Sequence, residues 1–327
     1  MTYNPQSTYT KLVQSKGGYV CHHAHFDKAY LISEEGLKLS VASLQEKWRL
    51  YRELKANYTE EDLYRRMATA TEKMISQGVK HCRTFVDADH IVGSLPIDTA
   101  LKVKADYADQ INLEVAIQPL EGVLELKAQK AFYEACQKAD VVGGLPDRDA
   151  NPEAHIETIF SMAKELGKPV DVHVDQNNSP YERETRMVAS RIGHYGLQGR
   201  VRLVHAISLS CQDEPYRKEV YELLKSTSTT VIVCPSAGIS MRQKSNLYAP
   251  IHNSLAPVME LIEAGVDVAL GVDNIQDLFM PLVDGDLWFE SRLLMEAIRS
   301  YDLDLISDIA TNRKGFYQTS QPPEVQA

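Results

Sequence analysis

The chain has 327 residues, 44% hydrophobic and 24% charged, with a formal net charge of −10, a make-up that suits an ordinary globular protein the size of one α/β barrel. The negative balance, with no Lys/Arg run to offset it, argues against nucleic acid as a partner, and no stretch of about 18 apolar residues announces a membrane span. Five scattered cysteines (Cys21, Cys82, Cys136, Cys211, Cys234) and a polar first stretch without a signal-peptide core point to a cytoplasmic protein, with a small molecule as partner and homo-oligomerisation left open.

After an N-terminal segment, 1–17, eight β-branched runs alternate with helical patterns. The strands are predicted at Tyr19–Asp27, Lys80–Asp87, Asn112–Gln118, Asp140–Leu145, Pro169–Asp175, Arg200–Ala206, Thr230–Pro235 and Asp267–Asp273. They are continuously apolar, as strands covered on both faces are. Thr59 and Asp62 mark a helix start, with Leu63, Met67, Ala70 and Met74 at helical spacing and a stop at Gly78. Another helix is expected to begin at Ser254, take Pro257 in its first turn and end at Gly265; Gly167 ends the one before strand five. The long connection 28–58 holds a helical piece, Ser43–Leu54, placed to cover a barrel mouth, and a last helix is expected around Leu303–Lys314. Eight β-then-α units imply a (β/α)8 TIM barrel over 18–315, followed by a flexible polar tail, 316–327.

The barrel's active groups belong at the C-terminal ends of its strands. His23, His25, His173, His205 and Asp273 all fall at such ends, and His23 and His25, two apart on one strand, share a face. Neutral imidazoles with one carboxylate suit a single divalent cation that leaves room for a water and makes it a strong nucleophile near neutral pH. The remaining conspicuous residues have plainer readings. Cys234 reads as barrel packing, Trp288 and Phe289 as core, Phe279 and Met280 as an apolar wall, and Arg242 and Gln243 as neighbours of the substrate.

These residues lie in blocks (HHAHFDK at 22–28, MISQGVKHCRTFVD at 74–87, VAIQPLEGV at 115–123, DVVGGLP at 140–146, PVDVHVDQ at 169–176 and EAGVDVALGVDNIQDLFMPLVDGD at 263–286) that resemble the amidohydrolase superfamily, specifically its cytosine deaminase-like branch with the triazine aminohydrolases. The resemblance implies His23, His25, His173 and Asp273 as ligands of one metal, iron or zinc, with manganese as a further option. It implies that His205 polarises the substrate and that Asp273 also takes a proton from the attacking water. No lysine ends strand four, so a carboxylated-lysine bridge between two metals is not expected.

Three departures from the family shape the expected function. Gln176 stands where cytosine deaminases carry a proton-shuttling Glu, and an amide moves no proton. Asp175, Glu121 and Asp277 are the candidate carboxylates to serve instead, Asp175 first. Gln118, in a scrambled strand-three motif, and Asn274, where the branch has Asp, join Gln176, Glu121 and Asp277 as candidate substrate contacts, and they argue against cytosine itself. The short flanks leave no room for the family's usual β-sandwich. The expected activity is metal-dependent aminohydrolysis or deamination of a small cyclic amidine, guanidine or N-heterocycle. The alternatives are a cyclase or deaminase of guanidinium-alkaloid (saxitoxin-type) biosynthesis, a cyclic amide or imide hydrolase, and a non-catalytic metabolite binder.

Overall fold

A computed structural model describes residues 2–241, 244–250 and 254–316. Eight parallel strands follow one another around a single sheet in chain order: β1 (Val20–His25), β2 (His81–Asp87), β3 (Asn112–Gln118), β4 (Val141–Gly144), β5 (Val170–Val174), β6 (Val201–His205), β7 (Thr230–Val233) and β8 (Asp267–Leu270). The circle closes just past β8, where Ala24 bridges Asp273 and the Asp273 N–H donates to the His23 carbonyl at 3.0 Å. Gly271 permits this closure: a Cβ there would sit 2.7 Å from the His23 Cβ and 3.0 Å from the Cys234 sulfur. The strands are buried almost throughout, as the apolar runs require, and their valines and isoleucines pack outward against the surrounding helices.

Most of the expected elements stand within a few residues of their predicted bounds. Thr59 accepts from the Asp62 N–H and starts the helix Glu60–Ser76, and Ser43 caps the helix Leu44–Lys55 in the β1 connection. Gly167 adopts the left-handed conformation that ends the helix Pro152–Leu166. Four expectations are corrected, the last of them at the C-terminal helix. Residues 5–15, read as a plain N-terminal segment, form a helix whose Tyr9 hydroxyl donates to Ser291 at 2.8 Å. The helix expected from Ser254 begins only at Val258, because Ser254 is itself left-handed (φ 57) and accepts from the Asn178 amide, and Pro257 precedes the first turn. Phe289 is 49% exposed on the outer side of the helix Leu287–Ile298, while its neighbour Trp288 does pack inward, 5.4 Å from Tyr9.

The last helix ends at Ala310 rather than near Lys314, and residues 312–316 cross the N-terminal mouth of the barrel. There Arg83 of β2 reaches Asp171 of β5 at 2.8 Å, a pairing of non-adjacent strands that runs through the barrel interior. Arg83 also meets Glu114, Arg202 meets Asp171 at 3.0 Å, and Arg202 donates to His22 Nδ1 at 3.1 Å. His22 gives its Nε2 proton to the Asn312 carbonyl at 2.6 Å, and Phe316 lies 5.1 Å from the Arg83 guanidinium and 5.4 Å from that of Arg202. The described residues hold one sheet, and none of their helices is long and apolar enough to cross a membrane.

Candidate metal centre and substrate cavity

At the opposite, C-terminal mouth the structure brings together His23 and His25 of β1, His173 of β5, His205 of β6 and Asp273 after β8. The Nε2 atoms of His23 and His25 are 3.1 Å apart, and those of His25 and His173 are 3.4 Å apart. Asp273 Oδ1 lies 3.3 Å from His23 Nε2 and 3.1 Å from His25 Nε2, and its Oδ2 lies 3.8 Å from His205 Nε2. Ligands about 2.0–2.1 Å from one cation, at angles between octahedral and tetrahedral, stand roughly 2.9–3.4 Å from each other. The pairs His23–His25, His25–His173, His23–Asp273 and His25–Asp273 have that spacing, and the donors cluster as two triads that share His23, one with His25 and Asp273 and one with His173 and His205. His173 Nδ1 faces the Gly144 carbonyl at 3.2 Å, which puts its proton there and its lone pair inward. The ring edges of His23, His25 and His173 rest on Phe85, which separates this layer from the charged layer below.

Burial sets the protonation states. It pushes His25 down to about 3 and His205 to about 4, and holds His173 well below its ordinary value, so these rings are neutral, as metal ligands must be. Burial would raise the Asp273 carboxyl, but its contacts with His23 and His25 outweigh that and hold it well below the usual carboxylate range. His205 (φ 77) and Asp273 (φ 62) occupy left-handed backbone, a conformation that costs a side-chain-bearing residue about 1–3 kcal/mol.

A cavity of about 640 Å³ opens onto these groups. Gln118, Gln176 and Asn274 line it as expected, with Phe279 and Met280 as an apolar wall. The β1 connection covers it, contributing Leu44 and Trp48. Arg242 and Gln243 lie outside the described residues, as does the tail from 317 onward.

Three carboxylates expected to serve the site do not line this cavity. Asp175 turns away because the next helix captures it: its oxygens accept from the Glu184 and Thr185 N–H groups at 2.8 and 3.2 Å, while Glu184 accepts from the Asp175 N–H at 2.8 Å. Burial, with Glu182 nearby, raises Asp175 to about 6. Glu121 is drawn to Lys55 at 3.1 Å and Arg52 at 3.5 Å. Asp277 folds back on its own loop, accepting from the Phe279 and Met280 N–H groups at 2.8 and 2.9 Å and from the Asn274 amide. Burial raises its carboxyl to about 7.

Lys28 was not singled out in the sequence, yet it lines the cavity while only 1% exposed. Its ammonium donates to Asp87 and to Gln118 Oε1, each at 2.8 Å, with Asp27 at 3.3 Å. Burial opposes its charge, but Asp27 and Asp87 more than offset this and hold its pKa above the ordinary value. Asp87 also meets Lys55 at 3.4 Å, and Lys55 reaches Asp89 at 2.6 Å, so the covering helix is tied to the rim of the barrel. The signal available in the sequence was a lysine directly after Asp27, at a strand end that burial was expected to claim.

Similarity to known proteins agrees with this architecture. The Amidohydrolase family model matches residues 34–285. An uncharacterized protein of Haemophilus influenzae is 38% identical over 76% of this chain and 91% of its own length. The N-isopropylammelide isopropyl amidohydrolase of Pseudomonas sp. (strain ADP) is 24% identical over 83% of this chain, which spans 65% of that relative. The crystal structure of 5-methylcytosine deaminase from Klebsiella pneumoniae liganded with 5-fluorocytosine superposes with a TM-score of 0.82 at 26% identity, covering 89% of this chain and 72% of that one. The chain is therefore a member of the amidohydrolase family of hydrolases.

Proposed function

We propose that the protein is a metal-dependent aminohydrolase that removes ammonia or an amine from a small nitrogen heterocycle. The observation that carries this reading is the chain of neighbouring donor pairs 3.1–3.4 Å apart that links His173, His25, His23 and Asp273, with His25, His173 and Asp273 lining a covered cavity. A divalent cation held there (iron, zinc or manganese) would supply an activated water and polarise the attacked carbon. Asp273 Oδ2, facing His205, is the base for the proton that the water gives up, and His205 donates to the group that gains negative charge. Asp273 is also the only carboxylate among the described residues that line the cavity, so it returns the proton to the departing nitrogen. The relatives named for triazine and pyrimidine chemistry support a heterocyclic substrate. Gln176, an amide where a proton shuttle would stand, favours a leaving group that needs no separate acid, and it keeps ring-opening of a cyclic amide as the second reading.

The test is to load the purified protein with Fe(II), Zn(II) or Mn(II) in turn and assay ammonia and amine release over aminotriazines, aminopyrimidines, pterins and lactams. One equivalent of bound metal with release of ammonia from an amino-heterocycle is expected. Failure to retain any of the three metals, or ring-opening of lactams alone, overturns the proposal.

A further inference from the structure

Several side-chain amides line the cavity, and two of them, Gln118 and Asn274, have neighbours that decide which end of the amide is presented. Lys28 can only donate, so it claims the Gln118 carbonyl at 2.8 Å. The Gln118 NH2 is left toward the cavity, and it has no hydrogen-bond partner among the described residues. The second case is the reverse. Asp277 Oδ1 is committed to the Phe279 and Met280 N–H groups, so its Oδ2 receives the Asn274 NH2. This leaves the Asn274 carbonyl oxygen as the free end. Gln176 has no such neighbour: its buried Nε2 lacks a partner and the amide is free to present either end.

We propose that Lys28 and Asp277 are positioning residues that fix the hydrogen-bond polarity of the cavity, so that the ligand offers a carbonyl-type acceptor to Gln118 and a ring N–H donor to Asn274. The inference deepens the aminohydrolase reading, because it takes this cavity as the substrate site and names the edge the substrate presents. A ligand with a ring oxygen in place of the N–H would set two acceptors against each other and leave a buried carbonyl unpaired.

The test is equilibrium binding, by calorimetry at pH 8 on the metal-loaded protein, of two isosteric pairs: 2-acetylpyrrole with 2-acetylfuran, and 2-acetylindole with 2-acetylbenzofuran. None has a hydrolysable C–N bond, so the outcome does not depend on turnover and is separable from failure of the aminohydrolase proposal. The N–H member of at least one pair is expected to bind about tenfold more tightly than its oxygen partner. In Asp277→Asn, Oδ1 keeps its two backbone donors and the new NH2 turns toward Asn274, which must offer its carbonyl inward and its NH2 to the cavity. The preference should then fall to unity or reverse. General loosening of the loop weakens both members alike and leaves the ratio where it was, so an unchanged ratio overturns the proposal, as does wild-type protein that binds no member or does not discriminate. Gln118→Glu, which still satisfies Lys28 but removes the N–H, is the second variant. It should weaken the N–H ligands about tenfold, and unchanged affinity there also overturns the proposal.

Discussion

The two mouths of the barrel bury polar groups in opposite ways. At the N-terminal mouth the arginines Arg83 and Arg202 pair with the carboxylates Glu114 and Asp171, although Arg202 Nη2 is buried without a partner, with His22 and Phe316 closing the layer from below. At the C-terminal mouth His25, His173 and His205 are neutral, and His23 Nδ1, His25 Nδ1 and Gln176 Nε2 are buried without partners. Opposite charges paired across a buried layer hold a structure together, whereas neutral imidazoles whose Nε2 atoms converge beside a carboxylate are suited to take up a cation. Phe85, packed with Ala116 and Val141, lies beneath the histidines, and both layers are buried, so the contrast is one of chemistry rather than of depth.

Substitutions can break or sharpen that contrast. The largest effect is expected from His173→Ala, which should abolish metal retention and lower turnover by at least about 10³, with the fold kept; plasma emission analysis alongside activity would show it, and a fully active variant would remove the proposed centre. Asp171→Ala should act in the opposite manner. Leaving Arg83 and Arg202 without their shared carboxylate should cost about 3–5 kcal/mol in denaturant unfolding, while the folded fraction still binds its metal; metal loss ahead of unfolding would show that the layers are not independent.

A third substitution concerns Glu290, which burial raises to about 7 and which accepts from the Ser236 N–H at 2.9 Å. The native state therefore holds this proton more tightly than the unfolded chain does. The resulting stability is complete below about pH 4 and is lost as pH rises through 7, a range worth about 3 kcal/mol at most. Glu290→Gln, neutral throughout, should gain melting temperature relative to the parent between pH 5 and pH 8, and a constant difference would rule out that titration. Lys55→Met should raise KM about tenfold with bound metal unchanged and open the 33–57 segment to limited proteolysis; an unaltered digest would show that packing alone holds the covering helix. Phe316→Ala should cost only about 1–2 kcal/mol and leave kcat untouched.

The sequence disclosed the barrel and the convergence of histidines because each strand carries its own apolar signal and each candidate ligand sits at a strand end. It disclosed less about aim. Asp175 and Asp273 both follow barrel strands and both adopt left-handed backbone, yet only Asp273 faces the cavity. The difference is the helix beginning at Glu184, whose unpaired N–H groups pull Asp175 outward across a gap of nine residues. Glu121 and Asp277 stand off the cavity for a similar reason, since their partners come from Lys55 in a distant helix and from a tight turn that the linear sequence does not reveal. Lys28 escaped notice because a buried ammonium is defined by the carboxylates around it, and Asp87 is 59 positions away.

Asp87 itself answers to two masters. One of its oxygens holds Lys28, the other lies beside Lys55 at the end of the covering helix. The roof and the floor of the chamber thus share a single hinge-post. Descendants that exchange the roof segment for one of another length, while retaining that post, would change how large a molecule is admitted and still read the same edge of it. In such a lineage, admission and reading are free to diverge separately, with the barrel left unaltered beneath them.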